Sequence, residues 1–294
     1  MPRVKKEAQN GTGMETQELL NPAIPEKKGR GKVSKKVDIQ IPPIKVAYID
    51  VPIGGTEVIG VHQWSDKARK EMRDKQMQRP QEGKKEVRNP FRDFLASMYM
   101  DPPMGGLANF ERGMKMTDDE FRRTYIIPGP HVNYYFPLIG FKKAIVSACR
   151  QLDGVSMTFA RGAIHIIGDK NDLVQIYGVP YMMEHMVRLP SSGSADLRYR
   201  GFFPNWCAKL RIKYIASNVS AAQVVNLVNL AGFSVGVGEW RPEKDGFCGT
   251  FEVIDESEFN HRKEEIENEW KLSEKQWEKW LAEEPIPLGG RIAA

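Results

Sequence analysis

Between Val235 and Gly249 the chain reads Val-Gly-Val-Gly-Glu-Trp-Arg-Pro-Glu-Lys-Asp-Gly-Phe-Cys-Gly, and these residue types suit contact with a polyanion. Gly236 and Gly238 let a backbone approach a ligand closely. Trp240 offers a stacking face, and Arg241 and Lys244 can meet phosphates. A dinucleotide fingerprint is excluded, because its third glycine would fall where Arg241 stands, and no Gly-Lys-Ser/Thr of a phosphate loop is present. The same residues also suit a hairpin whose glycines satisfy tight turns and whose Trp240 packs on a core, so both uses stay open.

Other chemistry is thinly represented. His62, His131, His165, His185 and His261 show no metal-ligand spacing of the His-Glu-x-x-His kind. His62 is either a structural histidine or a general acid–base in RNA cleavage. No serine sits in a Gly-x-Ser-x-Gly elbow and no carboxylates are paired at a strand end. Cys149, Cys207 and Cys248 are odd in number and widely spaced, which reads as reduced thiols rather than a disulfide or zinc framework. The expectation is a binding protein rather than an enzyme, with no cofactor and no metal.

The candidate phosphate contacts must be positioned by regular elements. From Leu138 to Leu152 apolar residues recur at Phe141, Ile145, Ala148, Cys149 and Leu152, within roughly 100° of helical arc. Lys142, Lys143 and Arg150 collect on another face of that helix. A protruding hairpin is predicted over Tyr181–Arg200 around a Ser191-Ser192-Gly193-Ser194 tip, carrying Arg188, Arg198 and Arg200. Strand-like runs stand at Ile44–Val51, Ala163–Ile167, Leu173–Tyr177, Leu197–Phe203, Ala208–Ile215 and Thr250–Ile254. Gly54-Gly55 signals a turn, and Ser65 can cap a helix to about Gln76. Phe91 to Met100 reads as a short helix ended by Pro102-Pro103, and residues 105–130 read as an insertion. Ser220-x-x-Gln223 is a capping box opening an apolar helix that Gly232 can close.

Charge divides the 294 residues into three parts. Residues 1–37 hold nine Lys/Arg against four Asp/Glu and lack apolar periodicity, so a disordered basic arm is expected. Residues 38–254 hold 28 against 23 and form the body; residues 255–284 hold five against eleven. The tail (255–294) spaces Phe259, Ile266, Trp270, Trp277 and Leu281 as a helical stripe, with Ser273 a possible restart. Its tryptophans need an apolar groove, on this chain or on a neighbour. No apolar run is long enough to span a bilayer, and the first 30 residues include Glu7, Glu15 and Glu18 without an apolar stretch, which reads against a secretory signal. The expected setting is cytoplasmic.

Strings such as His62-Gln63-Trp64-Ser65-Asp66-Lys67-Ala68, Phe141-Lys142-Lys143-Ala144, Glu184-His185-Met186-Val187-Arg188 and Gly236-Val237-Gly238-Glu239-Trp240-Arg241-Pro242-Glu243-Lys244 resemble a family of uncharacterised proteins encoded by bacteriophages and prophages, over about residues 45–254. More distantly, Ile127-Pro128-Gly129, Pro137-Leu138-Ile139-Gly140-Phe141-Lys142-Lys143 and the loop 236–249 are similar in kind and order to the repeat-associated mysterious protein superfamily, which includes the backbone subunit of CRISPR effector complexes. Here an insertion separates the Ile-Pro-Gly from the lysine-bearing helix. The resemblance implies an α+β, ferredoxin-like core with insertions, RNA or single-stranded DNA as partner, head-to-tail homo-oligomers along the strand and a host bacterial cytoplasm. The alternatives are a protein-interaction factor in host takeover or anti-defence, and a metal-independent endoribonuclease using His62.

Overall fold

The computed structural model describes residues 43–64, 66–78, 88–103, 132–188 and 193–282, with the backbone alone at 66, 67 and 273–282. The basic arm, the segment 105–130 with Ile127-Pro128-Gly129, Ser65, His131, and Ser191-Ser192 of the hairpin tip lie outside the described residues, as do the side chains of Trp277 and Leu281. In chain order the elements are β1 (Val46–Gly55), β2 (Ile59–Val61), α1 (Asp66–Gln76), α2 (Pro90–Ala96), β3 (Tyr99–Asp101), β4 (Asn133–Pro137), α3 (Leu138–Ala148), α4 (Met157–Ala163), β5 (Ile164–Ile167), β6 (Leu173–Gly178), β7 (Tyr181–Arg188), β8 (Ala195–Phe203), β9 (Trp206–Ile215), α5 (Ala221–Ser234), β10 (Phe251–Val253) and α6 (Glu256–Ala282). The protein is mixed α/β with antiparallel sheets.

The larger sheet runs β10-β1-β9-β6-β4-β3, and β5 shares with β6 the edge of β9 away from β1. Alternation along β1 and β9 decides which residues enter the core. Val51 faces Leu210 and Ile53 faces Ala208, all buried, whereas Tyr48 faces Lys213 and Asp50 faces Arg211 on the opposite side. Helices α3 and α5 pack together on the buried side, where Phe141 meets Phe136 at 5.4 Å and Phe251 at 6.0 Å between ring centroids. The start of α6 crosses the other side: Phe259 is buried beside Tyr177, and Lys263 lies over the same tyrosine ring.

The smaller sheet is β2-β8-β7. One face receives α2, with Met98 in the space above Gly201 and the Arg88 guanidinium over the Tyr199 ring. The opposite face, bearing His185 and Arg200, receives the Gly-rich loop.

Three local readings are corrected. Gly54 and Gly55 are the last residues of β1 rather than a turn; a Cβ would overlap the Arg262 guanidinium at the first and the Trp206 indole at the second. The helix opened at Phe91 ends at Ala96, not at the prolines, because Tyr99–Asp101 pairs with β4. Gly232 lies inside α5, where its lack of a side chain admits the Phe251 carbonyl; the helix is closed by Gly236, at φ +67°, whose N–H reaches the Ala231 carbonyl at 2.9 Å. The capping box at Ser220 forms as expected, with bonds of 3.2 and 2.9 Å. Helix α6 runs through Ser273 without a break.

Candidate nucleic-acid interface

Backbone bonds lay the Gly-rich loop across β2. Glu239 N–H donates to the Gly60 carbonyl at 3.0 Å, Gly249 N–H to Val58 at 2.7 Å, and Val237 N–H to Gly249 at 2.9 Å. Gly238 (φ +81°) and Gly249 (φ +71°) hold left-handed conformations, and a Cβ at Gly238 would overlap the Gly60 carbonyl. Trp240 also sits at φ +52°, an unfavourable place for a bulky side chain. The N–H of Cys248 bonds the Trp240 carbonyl at 2.9 Å. The glycines therefore serve tight turns, and those turns present Trp240 on the loop's surface.

Beneath it lies a polar cluster. The Trp240 indole rests on the His185 imidazole at 4.3 Å between centroids, yet 43% of Trp240 stays exposed. Phe202 meets His185 edge-on at 5.1 Å. Glu239 accepts from Arg200 Nη1 at 3.0 Å and contacts His62 Nδ1 at 3.2 Å. Arg200 is 4% and His185 8% exposed, and Arg200 Nε and His185 Nδ1 have no hydrogen-bond partner. The bond to His62, helped by the Arg200 charge, holds the Glu239 carboxyl below its ordinary range against the opposing effect of burial. Burial first, and then Arg200, lowers the His185 pKa, so this imidazole resists protonation.

The expected phosphate contacts separate into groups. Arg198, Arg200, Gly236, Gly238, Trp240 and Arg241 are brought together where the loop meets the hairpin. Arg200, expected at the surface, is buried and anchors Glu239 instead. Arg198 pairs with Asp196 at 3.3 Å, and Asp196 also takes Arg88 at 2.8 Å. Arg241 pairs with Glu243 at 2.9 Å and caps the Gly238 carbonyl, while Arg150 approaches the same glutamate at 3.7 Å. Lys143, Arg188 and Lys244 are exposed without an ion-pair partner among the described residues. Lys142 lies apart from the loop, its Nζ 3.2 Å from His165 Nδ1 on β5.

Reading the sequence missed Glu239 and His185, whose roles depend on pairing distant segments. It also missed Lys209, Arg211 and Lys213 on β9, although their strict alternation with Leu210 and Ile212 was a visible signal. The three cysteines are buried and unpaired, and burial pushes the Cys207 thiol up to about 11, away from reactivity. Among the described residues no helix is long and apolar enough to cross a membrane, and no three His, Cys, Asp or Glu side chains gather as a metal site. No protein-family model matches the chain, and no curated protein matches it in sequence.

Proposed function

We propose that the protein is a non-enzymatic binder of RNA or single-stranded DNA, phage-encoded and working in the bacterial cytoplasm, that assembles as repeated subunits along a strand. One observation carries this reading: Trp240 is held in a left-handed conformation with its indole backed by a buried imidazole and 43% of the residue in water. A supported, half-exposed indole is a stacking shelf for any base, and base–aromatic stacking is worth about 1–3 kcal/mol. Lys244, on the same loop and exposed without an ion-pair partner among the described residues, is the cation placed to meet a backbone.

The fold supports the finer architecture. Taking β1, α3, β5, β9, α5 and β10 in chain order, the strands lie as fourth, first, third, second, which is the order of a ferredoxin-like β-α-β-β-α-β unit. The remaining elements are then insertions. For assembly, the hairpin offers an exposed cross-strand pair, Met186 and Leu197.

Mobility-shift titrations with RNA, single-stranded and duplex DNA test the reading. Single strands should bind, with log affinity falling linearly in log salt. Affinity for duplex alone, or indifference to salt, overturns it. Sedimentation with and without strand tests assembly.

A second reading is favoured by the His62–Glu239 contact, which orients an imidazole at the rim of the same cluster. That reading makes His62 the acid–base group of a metal-independent endoribonuclease. Cleavage of RNA in chelator, abolished in His62→Ala, would establish it; intact RNA would dismiss it.

A further inference from the structure

Strand β9 carries Lys209, Arg211 and Lys213 on one face, while Leu210 and Ile212 are fully buried on the other. On the cation-bearing face Lys213 has Tyr48 across one side and His165 across the other. Tyr48 is 62% exposed, and Val46, two residues before it, shares its face and its exposure. Lys142 reaches this face from α3 through its contact with His165. At the opposite end the row enters a cleft beneath the start of α6, where Lys209 lies 4.8 Å over the Phe259 ring and Lys263 4.8 Å over Tyr177.

We propose that this open sheet face is a second contact surface for a single-stranded nucleic acid, with Lys213, Arg211 and Lys209 meeting successive phosphates and Tyr48 stacking beneath a base. The proposal rests on the reading of the protein as a single-strand binder, but its surface is distinct from the Gly-rich loop. Three arguments select this occupant. Cations two residues apart on a strand repeat every ~6.6–7 Å, a spacing that an extended sugar-phosphate chain can follow. Five cations (Lys142, Lys209, Arg211, Lys213, Lys263) outnumber the four carboxylates near them, Asp50, Asp169, Glu256 and Glu267, so the complementary partner is an anion. An exposed tyrosine set among cations is the combination by which sequence-tolerant strand binders work. The pairs Arg211–Asp50 and Lys209–Glu256 do not block this, because ion pairs between exposed side chains are weak in water and yield to a phosphate.

The test uses the full chain with oligo(dT) and oligo(rU). Tyr48→Ala, Lys213→Glu and the double variant should keep the wild-type melting temperature. The double variant should lose about tenfold or more in affinity and show a shallower salt slope. Ultraviolet crosslinking to a halogenated-uracil strand should mark the peptide holding Tyr48. If wild type binds while these variants bind equally well and no crosslink falls on that peptide, the sheet-face proposal is overturned and the loop reading stands. If the variants change only the sedimentation of the free protein, the face is a contact between copies and the proposal fails. If wild type binds neither strand, the reading beneath it fails as well.

Discussion

Trp240 and His185 lie 4.3 Å apart, ring centroid to ring centroid, with their planes tilted by 30°. The contact joins the Gly-rich loop to the hairpin of the smaller sheet and gives each residue a reason for its state. The imidazole resists protonation because it is buried, with the indole against it and Arg200 nearby, and the indole is supported by the imidazole beneath it.

Replacing Trp240 by glycine should therefore separate binding from folding. Glycine accepts φ +52° without strain, which offsets part of the lost packing. Single-strand affinity should fall by the ~1–3 kcal/mol of one stacked base. Melting should change little, and the His185 resonance should titrate closer to its ordinary value of 6.5. A collapse in melting temperature would show Trp240 to be core.

Stability should depend on acid in two steps. His185 has a folded pKa below its ordinary 6.5, so between the two values the unfolded chain binds more protons than the native one. The stability it contributes is complete above pH 6.5 and is lost as pH falls through that window. Glu239 is also depressed, from 4.5, so its contribution persists above that value and fades as pH falls further. His185→Phe, which keeps an aromatic ring against Phe202 and Trp240, should abolish the first step and leave the second in denaturant titrations across pH.

The elements were legible where local chemistry suffices to specify them. Ser220 and Gln223 announce the start of α5, and the alternation in Lys209–Lys213 announces β9. Strand β3 was not legible, since three residues carry no periodicity and Tyr99–Asp101 become a strand only by meeting β4. The site was half legible. Gly236, Gly238 and Trp240 stood out, but the cluster beneath them joins separate segments: Glu239 meets Arg200 across 39 residues and His62 across 177. Counting Arg198, Arg200 and Arg241 as free positive charge overstated the basic surface, because each has a carboxylate beside it.

Two glycines with positive φ distinguish strain from steric overlap. A Cβ at Gly193 (φ +66°) meets open space, whereas at Gly238 (φ +81°) it meets the Gly60 carbonyl. Gly193→Ala should cost only the left-handed penalty of about 1–2 kcal/mol. Gly238→Ala should cost more, because the loop must also part from β2, and chemical denaturation of the two variants measures the difference directly.

The acidic helix α6 is built into the body of this chain. Phe259 and Ile266 belong to its buried core, Trp270 stacks on Tyr134 at 6.0 Å, and Arg262 donates to the Gly55 carbonyl at 3.0 Å while filling the space over Gly54. Deleting 255–294 should therefore destabilise the protein severely and say little about regulation. Phe259→Ala alone should cost about 3–5 kcal/mol, as large-to-small changes in a core do. The regulatory question falls to the exposed Glu264, Glu265 and Glu267. If the helix repels a strand passing over the neighbouring cations, changing these three to glutamine should tighten single-strand binding at low salt, with the gain vanishing as salt screens it. Unchanged affinity at low salt would leave α6 as a structural helix whose acidity is only solubility.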